Sequence, residues 1–123
     1  MKKILLIEDD EDVVRSTSYV LEKKGYQCIS AFDGMDGFQK AKTENPDLIL
    51  LDLMLPKMNG YKISRLLKFD EKYKKIPIIM LTAKAQESDK KLGFETGADE
   101  YVTKPFEIDK LVEIIEKYLK RKN

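Results

Sequence analysis

Apolar positions along this chain alternate between two patterns. Short, nearly continuous apolar runs occur at Lys3 to Glu8 (KILLIE), Tyr26 to Ala31 (YQCISA), Asp47 to Asp52 (DLILLD), Ile76 to Thr82 (IPIIMLT) and Asp99 to Thr103 (DEYVT). The first, third and fourth have almost no polar interior position, as strands covered on both faces require. Between these runs, apolar residues recur at helical spacing. Residues 11–24 carry Val13, Val14, Thr17, Val20 and Leu21 before Gly25 stops the run. Residues 35–44 carry Met35, Phe38 and Ala41, and Asn45-Pro46 closes them. Asn59-Gly60 is a turn before Tyr61 to Phe69, which carries Ile63, Leu66 and Leu67. Residues 84–94 are polar and weakly periodic. Ile108, Leu111, Val112, Ile115 and Leu119 form the clearest helical stripe.

Strand and helix alternating about five times predicts an α/β fold, a parallel sheet with helices on both faces. Right-handed crossovers restrict its winding. The 123 residues suit one domain, and no linker or low-complexity tract divides them. Composition adds limits. The formal net charge of +1 gives no case for nucleic-acid or membrane binding through a basic face. No stretch approaches the roughly 20 apolar residues of a membrane span. The start, MKKILLIEDD, lacks the layout of a signal peptide, so a cytoplasmic location is expected. The sole cysteine, Cys28, reads as a small buried thiol. There is no histidine, which excludes a histidine general base or histidine metal site within this chain.

In such a sheet, ligands bind outside the carboxyl ends of the strands. The residues found there are Glu8, Asp9 and Asp10 after the first strand, Asp52 ending the third, Thr82 ending the fourth, and Lys104-Pro105 after the fifth. Asp10 reads as the cap of the first helix, and Asp52 alone would read as an ordinary strand-end carboxylate. Together they say more. Several carboxylates from neighbouring strands repel one another unless a cation neutralises them. A hard, oxygen-seeking cation such as Mg²⁺ fits, and with Thr82 and Lys104 the set makes a clamp for a phosphoryl group.

The chain resembles the receiver domains of two-component response regulators. The matching stretches are ILLIEDDED, PDLILLDLMLPKMNG, IPIIMLTA and GADEYVTKPF, in the family's order and spacing. The resemblance implies a doubly wound, flavodoxin-like (CheY-like) fold with strand order 2-1-3-4-5. It implies that Asp52 accepts a phosphoryl group from a sensor histidine kinase or a histidine phosphotransfer protein. It assigns Mg²⁺ to Glu8, Asp9, Asp52 and the backbone carbonyl of Met54, with Asp9 as a direct ligand and Glu8 acting mainly through water. Thr82 and Lys104 would contact the phosphoryl group. Pro105 matches a position where a cis peptide is common.

By the same resemblance, Met54 and Lys84 tune hydrolysis of the acyl phosphate, and a bulky Met54 implies slow to moderate decay. Thr82 and Tyr101 form the switch. They bias a surface made by the fourth helix (84–94), the fifth strand and the last helix, which a downstream effector protein or domain reads. On local pattern alone, Tyr101 is an ordinary strand aromatic.

Other classes fit these residues less well. A Mg²⁺-dependent phosphohydrolase with an aspartate nucleophile would want a second aspartate at the Met54 position. A flavin carrier would want a glycine- or hydroxyl-rich loop where EDDED stands. A receiver degenerated to a scaffold would not keep the full site set. Within the receiver reading, the chain is expected either to stand alone or to be a fragment of a DNA-binding regulator, with the stand-alone form preferred. A monomer without direct nucleic-acid or membrane binding is expected. A phosphorylation-dependent dimer is the alternative: Asp99, Glu100, Lys90 and Arg121 keep suitable charges for it, whereas Ile114 and Lys110 depart from the family pattern.

Overall fold

The structure is a computed structural model that describes residues 1–83 and 97–120. Its strands are β1 (Lys3–Ile7), β2 (Gln27–Ala31), β3 (Leu48–Asp52), β4 (Ile78–Thr82) and β5 (Glu100–Thr103). They form one parallel sheet in the order β2-β1-β3-β4-β5. The described helices are α1 (Glu11–Lys23), α2 (Gly34–Thr43), α3 (Gly60–Lys68) and α4 (Ile108–Lys120). The helix expected over residues 84–94, with Lys84 and Lys90, and the C-terminal Arg121 lie outside the described residues.

Apolar content sorts the strands. In β3 and β4 every residue is buried, and β1 is buried from Ile4 onward. The outer strands β2 and β5 are mostly half-buried. Period-two alternation divides the side chains into two cores. Ile4, Leu6, Leu48, Leu50, Ile79 and Leu81 face α1 and α4, meeting Val14, Leu21, Leu111 and Ile115. Leu5, Ile7, Ile49, Leu51, Ile78 and Met80 face the other way, toward Ala41 of α2 and Ile63 and Leu67 of α3.

Helix starts follow local capping chemistry. Asp10 accepts from the Asp12 and Val13 amides and Asp33 from Asp36, while Asn59 accepts from Lys62. The cap assigned to Asp10 is therefore present, and Asn59 does more than turn the chain. Gly25 lies at φ +96° beyond the end of α1, in the left-handed region where glycine is favoured. β2, β3, β4 and β5 each begin one or two residues later than their apolar runs, and an acidic residue stands just before β3 and just before β5. The Asp47 carboxylate accepts from the Lys3 amide and the Asp99 carboxylate from the Ile78 amide, while the Asp47 and Asp99 amides donate to the Lys3 and Ile78 carbonyls.

Candidate functional site

Strand register gathers the acidic residues. Asp52 ends β3 and pairs with Leu81, so the next residue of β4, Thr82, lies one step further along the same edge. Thr82 pairs with Thr103, and the chain then passes to Lys104, whose amide donates to the Thr82 carbonyl at 2.6 Å. Glu8 follows β1 directly and its amide donates to the Ala31 carbonyl. The Lys104–Pro105 peptide is cis, as the resemblance implied.

Glu8, Asp9 and Asp52 each present a carboxylate oxygen within 4.8 Å of the others. Glu8 is fully buried, Asp52 is 5% exposed, and Asp9 is exposed. Lys104 is the cation among them. Its ammonium donates to Glu8 Oε1 and stands 3.6 Å from Asp52 Oδ2. Glu8 Oε2 accepts from the Asp10 amide, which pins the carboxylate in place. Asp52 Oδ1 accepts from the Met54 amide at 3.3 Å.

One lysine does not balance three carboxylates. Burial, then a hydrogen bond and repulsion from Glu8, push the Asp52 carboxyl up to about 7, while Lys104 and the Met54 amide pull it back. Burial alone would lower Lys104, but its bonds and attraction to Glu8 and Asp52 outweigh that, and its ammonium is held above its ordinary value. The donor set is all oxygen, carries excess negative charge and is open to solvent through Asp9. These properties fit a hard divalent cation. Glu8, Asp9 and Asp52 could hold such an ion, which would neutralise their charge.

The structure thus brings together Glu8, Asp9, Asp52 and Lys104, with Thr82 buried at the same sheet edge. The Met54 side chain is 61% exposed, so it does not pack into the interior. Tyr101, register partner of Met80, is half-buried against the core that faces α2 and α3. Cys28 is half-buried beside Ser18 Oγ at 3.4 Å, and burial raises its thiol, in keeping with a structural role.

Two supporting positions escaped the sequence reading. Gly34 opens α2 against the loop that follows β3, where an added Cβ would stand 1.9 Å from the Met58 carbonyl oxygen. Its amide also donates to the Pro56 carbonyl. Gly60 opens α3, where a Cβ would stand 2.5 Å from the Asp52 carbonyl oxygen. The dipeptide Asn59-Gly60 was an available signal, but it reads as a turn, not as close packing beside the site, and Asp33-Gly34 was not singled out.

The model of the response regulator receiver domain family matches residues 4–116. The alkaline phosphatase synthesis transcriptional regulatory protein PhoP of Bacillus subtilis is 50% identical over 105 residues, covering 85% of this chain and 43% of that protein. The chain spans about half the length of the curated relatives it matches. Among solved structures, a Francisella response regulator receiver domain superposes with a TM-score of 0.93 at 30% identity, covering all of both chains. The receiver domain of a sensor histidine kinase from Pseudomonas aeruginosa, which has a magnesium ion coordinated in its active site cleft, gives 0.88 at 30% identity over 97% of this chain and 98% of that one. On sequence and fold together, the chain belongs to the response regulator receiver domain family of two-component signalling.

Proposed function

We propose that Asp52 is the phosphoacceptor of this receiver domain. The observation that carries the proposal is the convergence of Glu8, Asp9 and Asp52 within 4.8 Å, with Lys104 reaching Glu8 and Asp52 from the end of β5. Asp52 Oδ2, the oxygen facing Lys104, is the nucleophile toward phosphorus. Lys104 offsets charge on the transferring oxygens, so it leaves Asp52 as the phosphoryl group arrives. Thr82 donates its hydroxyl to a phosphoryl oxygen. Glu8, Asp9, Asp52 and the Met54 carbonyl hold Mg²⁺, a reading supported by the related magnesium-bearing receiver domain. The bound ion supplies charge stabilisation and template chemistry.

Catalysis at such a site is positioning and electrostatics. Because the chain has no histidine, a phosphohistidine donor comes from a partner, a sensor kinase or a phosphotransfer protein. The product is an aspartyl phosphate, which the domain forms and hydrolyses itself. Thr82 and Tyr101 carry the change toward β5 and α4, where an effector protein or domain reads it.

The output has a favoured reading. Preference for a stand-alone receiver gives way to the receiver portion of a transcriptional regulator, because PhoP carries its match within a chain about twice as long.

The test is intact-mass analysis after incubation with Mg²⁺ and acetyl phosphate. Wild type gains one phosphoryl group and Asp52→Asn gains none. Equal gain by the two proteins, or no gain by wild type, overturns the assignment.

A further inference from the structure

The loop between β3 and α3 (residues 53–59) carries Met54 and is held at three points. At its start, the Leu53 amide donates to the Leu81 carbonyl at 2.9 Å, and the Leu53 side chain is buried. At its end, the Gly60 amide donates to the Leu53 carbonyl at 2.9 Å. The tip is held by α2. The Gly34 amide donates to the Pro56 carbonyl at 3.0 Å, so the first amide of that helix, which has no helical carbonyl to bond, is used on this loop.

The tip itself is strained. The Met58 amide donates to the Pro56 carbonyl at 2.8 Å across Lys57, whose φ is +70°. That is a γ-turn with a left-handed central residue, the rarer and costlier of the two γ-turn forms. The Lys57 side chain does not explain it. Its ammonium stands 3.6 Å from Asp33 Oδ2, but it is 67% exposed, and such a surface pair contributes little. Backbone strain persists only where the surroundings over-determine the conformation. Here Gly34 supplies the surroundings. Its amide holds the Pro56 carbonyl, and the Met58 carbonyl oxygen stands 1.9 Å from where a Cβ would lie.

We propose that Gly34 is a positioning residue for the metal site, acting through the strained turn at Lys57. Both ends of the loop are fixed, so a shift of Pro56 is taken up by Met54 and Leu55. Two consequences meet at Met54. Its carbonyl is displaced, and its amide, which already reaches Asp52 Oδ1 at the long distance of 3.3 Å, loses hold of that carboxylate. The start of α2 thus sets Mg²⁺ affinity from outside the ligand set, as groups that orient ligands do elsewhere. The proposal rests on the reading that places the Met54 carbonyl and Asp52 on Mg²⁺.

Four variants separate positioning from stability. Lys57→Gly and Lys57→Val lose the same charge, but glycine accepts the left-handed turn and a β-branched residue resists it. Gly34→Ala drives a Cβ into the loop, whereas Gly25→Ala strains the backbone at φ +96° beyond the end of α1, at the opposite edge of the sheet. Mg²⁺ affinity of the unphosphorylated protein, from an NMR titration, and the urea midpoint are measured for each. Lys57→Gly binds Mg²⁺ within about twofold of wild type, because only a surface pair is lost. Lys57→Val and Gly34→Ala bind about tenfold more weakly. Gly25→Ala lowers the urea midpoint but keeps the affinity within about twofold, since distant sites act independently. Should Gly34→Ala fail to fold, the Lys57 pair decides. Equal affinities in Lys57→Gly and Lys57→Val overturn the proposal, as does a loss in Gly25→Ala equal to that in Gly34→Ala, and both results leave the reading of the site standing. A wild type that binds no Mg²⁺ overturns the proposal and that reading together.

Discussion

Lys68 and Lys104 each hold an aspartate, at opposite edges of the same sheet, and their surroundings differ. Lys68, at the edge where β4 begins, lies 2.6 Å from Asp99 Oδ2 and donates to the carbonyls of Lys74 and Ile76. Asp99 Oδ2 also accepts from the Ile78 amide. One cation meets one anion there, and the remaining donors and acceptors are matched. Lys104, at the other edge, faces Glu8 and Asp52 while Asp9 stands close by. That edge carries more negative charge than its lysine can balance, and Asp52 shows the strain by rising to about 7. A balanced pair joins elements. The unbalanced one is the kind of edge that the proposed function requires.

Substitution of the two lysines separates these roles most sharply. Lys104→Met should slow phosphorylation by acetyl phosphate by about a hundredfold or more, the loss typical when one preorganised charge is removed from a reacting centre. Lys68→Met should leave that rate within about twofold but destabilise the fold by about 2 kcal/mol, since it strands a partly buried carboxylate. Phosphorylation kinetics and urea denaturation of the same two proteins check both statements. If Lys68→Met slows phosphorylation as Lys104→Met does, the contrast fails.

The excess charge predicts a pH dependence of the metal-free protein. The Asp52 carboxyl is raised from 3.8 to about 7 on folding, so the folded state holds its proton more tightly than the unfolded chain does. The stabilising contribution of the protonated form is complete below about pH 4 and is lost as pH rises through about 7. Asp52→Asn removes this loss. Its melting temperature should exceed that of wild type by several degrees at pH 8 without metal, and the two should converge at pH 4. Added Mg²⁺ should narrow the gap at pH 8 by raising wild type. A gap that is largest at low pH would reverse the sign and refute the charge-imbalance account.

The smallest effect concerns the lifetime of the phosphorylated form. The exposed Met54 side chain stands two residues from Asp52, at the open side of the site. Met54→Ala should speed spontaneous loss of the phosphoryl group by a few-fold through easier access of water. Decay of the phosphorylated mass peak at fixed Mg²⁺ measures this, and an unchanged rate would remove Met54 as a shield.

Much of the fold was legible in local pattern because burial acts on each strand separately. β1, β3 and β4 are apolar throughout since they lie between two helical layers, and the pattern of α4 marks its buried residues Leu111, Val112, Ile115 and Leu119. Strand ends were less legible. Asp47 and Asp99 open their runs, yet their carboxylates bond the Lys3 and Ile78 amides of neighbouring strands. Sequence spacing has no information on such long-range partners.

The site divides in the same way. The sequence by itself determined which chemistry was available: carboxylates, a hydroxyl and a lysine at strand ends, with no histidine among them. It also determined that Asp52 ends a run too apolar to lie anywhere but the centre of the sheet. Only the tertiary structure decided how those groups share charge. Lys104 bonds Glu8 and Asp52 across 96 and 52 positions of chain, and Gly34 meets the loop after β3 closely enough to exclude any side chain. The physical reason is range. Periodicity and capping act over a few residues, whereas the ionisation of Asp52 depends on charges and burial that come together only when β1, β3, β4 and β5 lie in register.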